Sequence, residues 1–212
     1  MEYKAPKSTC NLCSKEYTQR GMTKHIQACL QKNLQNRHGV PYLYVVVQGT
    51  YNHDYFFHLL LSKTATLKDL DTFLRNQWLE CCGHMSAFTY EKLTEEIPMS
   101  RKIHDILSPG SRLEYQYDFG STTELEVKAV ADLTAIFKGK KKIQVLSRNA
   151  RPIIPCDECG KFAATRICTA CQWDGGGWLC EKCGAKHNCG EDMYFLPVVN
   201  SPRSGVCAYD GE

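Results

Sequence analysis

The middle of the chain alternates apolar runs with polar turns in a way that predicts β-strands. Two apolar segments, YLYVVVQG and DYFFHLLLS, are rich in β-branched and aromatic residues and flank the turn-forming residues 50–53. Runs of this length and composition are typical of buried strands. The pattern therefore predicts a β-hairpin near the start of the middle segment.

The segment TLKDLDTFLRNQWL, residues 66–79, has the spacing of an amphipathic helix. Its apolar side chains recur at intervals of three and four residues, which places them on one helical face. Thr66 stands at the N-cap position, and Asp69 follows three residues later as in a capping box. The predicted apolar face comprises Leu67, Leu70, Phe73, Leu74 and Trp78. We predict that this is the main core helix.

The remaining patterns complete an α+β domain. MSAFTYEKL predicts a strand, and residues 100–107 predict a short helix that ends before Pro109 and Gly110. RLEYQYDF and TTELEVKAVADL alternate apolar and polar residues on either side of a Gly-Ser turn, which predicts a half-buried antiparallel pair. KKIQVLSR predicts the last strand. The predicted fold class is α+β, with a central mixed or antiparallel sheet and one main helix, flanked by small zinc-stabilised modules.

The cysteine residues predict two further modules, one on each side of the α+β domain. The chain has 212 residues and 13 cysteines, most of them in Cys-x-x-Cys pairs. The start, MEYKAPKSTC, has no apolar signal-peptide core, and the apolar runs are far shorter than the roughly 20 residues of a membrane span. We therefore expect a soluble, cytoplasmic protein with reduced thiols, in which the pairs are metal ligands and not disulfides. Cysteine density predicts a zinc finger at 1–38, an α+β domain at 39–150 and a two-zinc module at 151–212.

Cys10, Cys13, His25 and Cys29 have the spacing of a zinc site. A Cys-x-x-Cys turn directs two thiolates to one ion, and a helix places the last two ligands one turn apart on the same face. The arrangement resembles a ββα zinc finger with a cysteine in place of the final histidine. In such fingers base contacts are made near the helix start, where this chain has Gln19, Arg20, Thr23 and Lys24. A solvated helix face explains these four residues equally well.

The carboxyl-terminal segment contains three Cys-x-x-Cys pairs at regular intervals, followed by a histidine and a cysteine. The eight predicted ligands are Cys156, Cys159, Cys168, Cys171, Cys180, Cys183, His187 and Cys189. Eight ligands predict two zinc ions. The spacing is similar to that of cross-brace modules such as the B-box and RING-like fingers, and this resemblance implies that the first and third pairs share one ion and the second and fourth share the other. Sequential pairing is the alternative, and Cys207 could replace His187 or Cys189 as a ligand.

The predicted zinc inventory is three ions, each held by four protein ligands. A closed tetrahedral shell leaves no coordination position for water or substrate, so these sites are predicted to be structural. Cys81, Cys82 and Cys207 are left over. The neighbouring Cys81, Cys82 and His84 suggest a nucleophile or a fourth metal site. Adjacent cysteines at a helix end also pack as small hydrophobic residues, which is the competing interpretation.

A series of aromatic and polar residues marks the middle segment. A helix ending in Trp78 is followed by His84 and Phe88 and then by Tyr115, Tyr117, Asp118, Phe119 and Gly120. On these residues the segment resembles the plasmid pRiA-type open-reading-frame-three-like family, also described as insertion-element passenger proteins. The resemblance implies a compact prokaryotic α+β fold that frequently carries zinc modules, and it implies no established activity.

Asp118 allows two interpretations at the end of its predicted strand. Its carboxylate could cap a turn before Gly120, which is a common use of aspartate. Alternatively, it could be a ligand-binding acid beside His84 and Tyr115. The first interpretation is structural and the second is functional.

The overall charge does not identify a partner. The formal net charge is +3 and the isoelectric point is near 8.2, whereas a dedicated duplex-binding domain usually has a value above about 9. The first hypothesis is a non-enzymatic binding protein that contacts nucleic acid or a nucleoprotein complex. The candidate contacts are Arg20, Lys24, Lys138, Lys140, Lys141 and Lys142. A solvated hairpin loop explains the four lysines at least as well.

Two other functions remain. A zinc-dependent protein-protein adaptor could use Trp173 and Trp178, around a triple-glycine loop, as anchors. An enzyme using His84, Asp118 or Cys81 ranks last, because the chain has no recognisable triad, phosphate loop or open metal site. We expect neither a membrane partner nor a small-molecule substrate.

Overall fold

The computed structural model describes residues 4–34, 40–90, 95–135, 141–190 and 193–211. These residues form eleven strands and three α-helices. The amino-terminal part folds as a ββα unit: an antiparallel pair, β1 (Lys7–Thr9) and β2 (Glu16–Thr18), leads into helix α1 (Gln19–Leu34). The described part of the chain has no helix with both the length and the apolar character that crossing a membrane requires.

A six-stranded sheet forms the centre of the molecule. Its strands are β3 (Val40–Gly49), β4 (Phe56–Ser62), β5 (Ser86–Tyr90), β6 (Arg112–Tyr117), β7 (Thr123–Ala135) and β8 (Ile143–Arg148). Their spatial order is β5-β6-β7-β3-β4-β8, and every pairing is antiparallel. The α+β fold class is confirmed, as are the predicted β3–β4 hairpin and the β6–β7 pair.

The main helix begins as predicted and ends differently. Helix α2 (Leu67–Leu74) has a complete capping box, since Thr66 Oγ1 accepts from the Asp69 amide and Asp69 accepts from the Thr66 amide. The predicted single helix over 66–79 is corrected at its last turn, which is a π-helical turn at Arg75–Leu79.

The predicted helix at residues 100–107 is wrong in extent. Only a single 3₁₀ turn forms there, at Ile103–Asp105. The backbone around this turn instead forms hydrogen bonds with the start of α2. The amide of Leu67 donates to the carbonyl of Arg101, and the amide of Ile103 donates to the carbonyl of Ala65. These non-local bonds replace the local bonds that a longer helix would need.

The sheet has an apolar layer on each face. On one face, side chains from β3 and β4 pack against the apolar side of α2 and against Trp78. On the other face, Tyr44, Val46 and Leu60 pack against Met22 and Ile26 of the finger helix. A strand covered on both sides must be apolar at successive positions, which explains the uninterrupted run in β3. The finger is therefore one layer of a three-layer structure.

The carboxyl-terminal module is a small sheet around two cysteine clusters. Its strands β9 (Arg166–Cys168), β10 (Trp178–Leu179) and β11 (Phe195–Pro197) pair in the order β10-β9-β11, with a 3₁₀ turn at Cys171–Asp174 and helix α3 (Glu181–Gly184) between them. After β11 the last described segment of the chain, residues 198–211, returns to the central domain, and we call it the tail. Asn149 Nδ2 donates a 2.7 Å hydrogen bond to Asn200 Oδ1 there.

Candidate metal centres

Four clusters of cysteine and histidine bring their ligand atoms within 4.8 Å of one another. The clusters are Cys10, Cys13, His25 and Cys29; Cys156, Cys159, Cys180 and Cys183; Cys168, Cys171, His187 and Cys189; and Cys81, Cys82, His84 and Cys207. All thirteen cysteines are free thiols. We call the four clusters the finger, four-thiol, His187 and tail clusters, in that order. Each could hold a metal ion.

The sulfur separations match a tetrahedral ion. With Zn–S bonds of about 2.3 Å, two sulfurs on one tetrahedron lie about 3.8 Å apart. The observed Sγ–Sγ separations are 4.0 Å for Cys10 and Cys29 and 3.9 Å for Cys159 and Cys180. Thiolate and imidazole donors in this number are also the ligands that zinc prefers. The finger and four-thiol clusters are therefore compatible with zinc in both geometry and chemistry, whereas the Sγ–Sγ separation of 3.0 Å between Cys171 and Cys189 in the His187 cluster is shorter than a tetrahedral edge.

The finger cluster is built by the knuckle between β1 and β2 and by α1. Backbone hydrogen bonding at Lys15 lowers the pKa of the Cys13 thiol, which favours the thiolate that a metal requires. Burial lowers the pKa of His25, which favours the neutral imidazole that binds a metal, and Tyr17 stacks on the ring at a centroid distance of 4.4 Å. The Sγ of Cys13 lies 3.2 Å from His25 Nε2.

The two carboxyl-terminal clusters follow the cross-brace grouping. The structure brings together the first and third Cys-x-x-Cys pairs, and it brings the second pair to His187 and Cys189. In the four-thiol cluster, hydrogen bonds from the backbone amides of Lys161 and Phe162 lower the pKa of Cys159 to about 6. In the same cluster the hydrogen bond with Cys180 raises the pKa of the Cys183 thiol, so a metal would have to displace that proton.

The His187 cluster has a supporting carboxylate. Glu158 Oε1 lies 2.9 Å from His187 Nδ1, and the hydrogen bond raises the pKa of the imidazole. A carboxylate on one ring nitrogen orients the other toward a metal and increases its basicity. Here the other nitrogen, Nε2, lies 3.4 Å from Cys171 Sγ.

A glycine in the loop before β10 lets the His187 cluster close. Gly177 has a φ of +88°, and an added Cβ would stand 2.9 Å from the Cys168 carbonyl oxygen and 3.0 Å from Cys171 Cβ. Neither the conformation nor the space suits a side chain. The last glycine of the triple-glycine loop therefore allows the loop to pass close behind two ligands.

The tail cluster corrects the assignment of Cys207. The sequence offered Cys207 as a replacement for His187 or Cys189, but the tail brings it to Cys81, Cys82 and His84 of the central domain. The structure therefore offers four candidate sites, and the fourth is the metal site that the neighbouring Cys81, Cys82 and His84 suggested. Cys82 Sγ lies 3.0 Å from His84 Nε2 and 3.8 Å from Cys207 Sγ. No local spacing signals a ligand that arrives 123 residues after His84.

Asp118 caps the predicted turn and lies beside His84, and a ligand-binding role for it stays a prediction. Its Oδ1 accepts hydrogen bonds from the amides of Gly120 and Ser121, which is the predicted turn cap. Its Oδ2 lies 3.4 Å from His84 Nε2. The expected neighbour Tyr115 is elsewhere, because its hydroxyl donates to Asp71.

The predicted cationic contacts separate into two places. Arg20, Lys24 and Lys128 line a groove of about 390 Å³ between the start of α1 and strands β3 and β7. Gln19 and Thr23 also line it. Lys141 and Lys142 lie elsewhere, directly before β8, whose Ile143 pairs with Leu61 of β4. We call the first feature the basic groove.

The lysine loop is only partly described. Lys138 and Lys140 lie outside the described residues, whereas Lys141 is exposed. Lys142 Nζ is 2.8 Å from Asp69 Oδ2 and 3.0 Å from Asp69 Oδ1. A phosphate contact by Lys142 would compete with this ion pair.

The two proposed tryptophan anchors differ. Trp173 is 83% exposed beside a cavity of about 430 Å³, whose lining also includes Tyr194, Gln172 and Cys207. Trp178 is instead half-buried and packs against Ile167 inside the module. Only Trp173 is available as an exposed anchor.

Comparisons with known proteins add little to this geometry. No family model matches the sequence, and no curated protein matches it. One similar solved structure is a protein of unknown function, MM3350, from Methanosarcina mazei Go1, with 12% identity and a TM-score of 0.44. The match covers 57% of this chain and 75% of that one. The resemblance of the middle segment to the plasmid pRiA-type family stays a prediction.

Proposed function

We propose that the chain is a zinc-binding, non-enzymatic binding protein that contacts nucleic acid or a nucleoprotein complex through the basic groove. The finger, four-thiol and His187 clusters each offer four protein ligands, so a bound ion would have no open position for a substrate. Their role is then to hold the flanking modules in shape. Function lies on the surfaces that these modules present.

The observation that carries the nucleic-acid proposal is the composition of the basic groove. Arg20 and Lys24 stand on the exposed side of α1, and Lys128 is exposed on β7 across the groove. No carboxylate is among its described lining residues. The nearby Glu126 is already paired with Arg112, whose Nη1 lies 2.7 Å from Glu126 Oε1. Three cations from two elements therefore face one concave surface.

A groove of this kind suits a phosphate backbone. Lysine and arginine neutralise phosphates and release condensed counterions, so affinity falls steeply as salt rises. Gln19 and Thr23 add polar groups beside the cations. Both residues are half-buried, and Gln19 Nε2 donates to Gln48 Oε1, which fixes the floor of the groove.

The test is fluorescence anisotropy with the zinc-loaded full chain and labelled single-stranded and duplex oligonucleotides over a salt series. Each cation that contacts a phosphate contributes roughly 0.7–0.9 to the slope of log K against log salt. We expect Arg20→Gln and Lys24→Gln each to reduce the slope by about that amount and to weaken binding to all sequences similarly.

Lys32 provides a matched control. It is exposed near the end of the same helix and does not line the groove. Lys32→Gln should leave both the slope and the affinity unchanged. Equal effects of all three substitutions would indicate a non-specific charge effect, and no binding at low salt would refute the nucleic-acid proposal.

A protein-protein adaptor is the second candidate, because of Trp173. An exposed tryptophan beside a cavity is the kind of side chain that dominates protein interfaces. The adaptor function predicts capture of a protein that is insensitive to salt and lost in Trp173→Ala. Tyr51, which is 86% exposed on the central domain, provides a control as Tyr51→Ala. Loss of capture in both variants would point away from a specific anchor.

A further inference from the structure

We propose that Cys81, Cys82, His84 and Cys207 form a fourth metal site. It takes a thiophilic divalent ion of the zinc class, and that ion fastens the carboxyl-terminal segment to the central domain. The site goes beyond the three zinc sites predicted from spacing, and it is independent of the basic groove.

The donor geometry is that of a tetrahedral site with three sulfurs and one nitrogen. Cys82 Sγ lies 3.7 Å from Cys81 Sγ and 3.8 Å from Cys207 Sγ, close to the tetrahedral edge of about 3.8 Å. His84 Nε2 lies 3.0 Å from Cys82 Sγ and 3.2 Å from Cys207 Sγ. These distances resemble those of the finger cluster, which has the same donor set.

The backbone adopts uncommon conformations where it delivers the ligands. Gly83 has a φ of +83°, and this turn brings Cys82 and His84 to the same point. Cys207 and Ala208 have φ values of +51° and +54°, two consecutive left-handed residues that are not glycine. Such conformations cost energy and persist where the surroundings require them. A shared ion supplies a reason for the turn at Cys207.

The surroundings suit a negatively charged cluster. Arg203 Nη2 lies 3.5 Å from Cys81 Sγ, and the Arg203 side chain is fully buried. Three thiolates and one divalent ion leave a net charge of −1, and the nearest cation, Arg203, is shared between Cys81 and the carboxylate of Asp118. Tyr117 contacts two of the three ligand residues in this part of the chain: its hydroxyl is 3.9 Å from Cys81 Sγ, and its ring packs edge-on to His84.

The tail cluster joins parts of the chain that are distant in sequence. Cys82 and Cys207 are 125 residues apart, whereas the ligands of each other cluster fall within one short module. The intervening tail is already docked. Ser201 Oγ donates 2.6 Å to the carbonyl of Trp78, and Arg203 Nη1 donates to the Ser121 carbonyl. An ion bound by Cys207 would attach the docked segment to the central domain at a further point beyond Arg203.

A disulfide is the competing chemistry for these thiols. The Cys82–Cys207 sulfur separation of 3.8 Å is far longer than the roughly 2.05 Å of a disulfide bond. A disulfide would also leave Cys81 and His84 without a role. The four donors converge on one point, and the metal site uses all of them.

The first experiment counts metal in the full chain. The protein is purified with reductant, loaded with Zn²⁺, separated from free metal and analysed for zinc per chain. We expect four ions in the wild type and three in Cys82→Ser, in Cys207→Ser and in the double variant. Loss of one ion, and not two, in the double variant would show that both cysteines bind the same ion. Co²⁺ loading should lose about one quarter of the tetrahedral absorption in each variant.

Two control variants test whether the zinc count per chain reports on this site. Cys189→Ser removes a ligand of the His187 cluster and should lose a different ion, so Cys189→Ser combined with Cys207→Ser should lose two. Ala208→Gly keeps every ligand and should retain four. A wild-type count of three, or a count of four that Cys82→Ser and Cys207→Ser do not change, would overturn the fourth site. A count of zero would overturn the three predicted zinc sites as well.

A second measurement uses the wild type and needs no variant to fold. Cys82 and Cys207 are exposed, so as free thiols they should react rapidly with iodoacetamide. With metal bound we expect both to be protected until a chelator is added. Rapid alkylation of both thiols in the zinc-loaded protein, or their recovery as a disulfide from reduced preparations, would refute the proposal.

Discussion

Arg203 Nη2 donates a 2.7 Å hydrogen bond to Asp118 Oδ2, and the two side chains are 0% and 8% exposed. The pair joins the carboxyl-terminal tail to the turn between β6 and β7. Asp118 uses its other oxygen to cap that turn, and it adopts a φ of +65° there. Hydrogen bonding to Arg203 holds the pKa of the Asp118 carboxyl below its usual range. One carboxylate thus fixes both the turn and the tail.

We expect Asp118→Asn to destabilise the protein by about 3 kcal/mol, the lower end of the cost of breaking a buried ion pair by removing one partner. Asparagine tolerates positive φ and can still cap the turn with its one oxygen, so the change keeps the cap and removes both the charge and the acceptor that faces Arg203. The measurement is urea denaturation at neutral pH with zinc present. Asp132→Asn, at an exposed position on β7, should change stability by less than about 0.5 kcal/mol. Equal stabilities of the two variants would contradict a stabilising role for the pair.

Substitution of Glu158 tests whether its carboxylate strengthens zinc binding at the His187 cluster. Its carboxylate is 2.9 Å from His187 Nδ1, so Glu158→Gln should weaken zinc binding at that cluster by roughly 10–100-fold. The measurement is competition of the zinc-loaded protein with a graded chelator, in which one ion should leave earlier than in the wild type. Glu95→Gln, at an exposed residue of the central domain, is the control and should leave the release curve unchanged. Unchanged release from Glu158→Gln would show that the carboxylate does not tune the site.

Sequence reasoning succeeded where the signal was local. The capping box at Thr66 depends on a residue three positions away, and the Cys-x-x-Cys pairs place two ligands on one turn. It failed where the cause was distant. The continuous apolar run of β3 indicated a buried strand but could not identify the finger helix as one of the layers that cover it. Cys207 reaches Cys81, Cys82 and His84 only because the tail packs against the central domain. The spacing of residues along the sequence does not show this packing.

The capping box at Thr66 should make a measurable contribution to the free energy of unfolding. We expect Thr66→Ala to destabilise the protein by about 1 kcal/mol, because the Asp69 amide would lose its side-chain acceptor. The exposed Thr72 in the same helix provides the control: Thr72→Ala should be neutral or slightly stabilising, since alanine has the higher helix propensity. Both are measured by urea denaturation. Equal effects of the two substitutions would mean that the cap contributes nothing beyond propensity.

His58 is a titratable group in the layer between the sheet and the finger. It is fully buried, its Nδ1 is 2.7 Å from the Tyr44 hydroxyl, and its Nε2 is buried with no hydrogen-bond partner. Burial lowers the pKa of the imidazole to about 3, whereas an unfolded chain has a value of about 6.5. Between these two values the unfolded state binds a proton that the folded state does not.

The free energy of unfolding should therefore fall as pH drops below about 6.5, by up to roughly 1.4 kcal/mol per pH unit for this group. His58→Asn keeps an acceptor for Tyr44 and removes the titration. Whatever its stability at pH 7, its deficit relative to the wild type should shrink by about 2 kcal/mol by pH 5. Acid also releases zinc, but both proteins keep the same metal ligands, so that contribution cancels in the difference. Urea denaturation at pH 7, 6 and 5 measures it, and parallel pH profiles would mean that His58 does not resist protonation in the folded state.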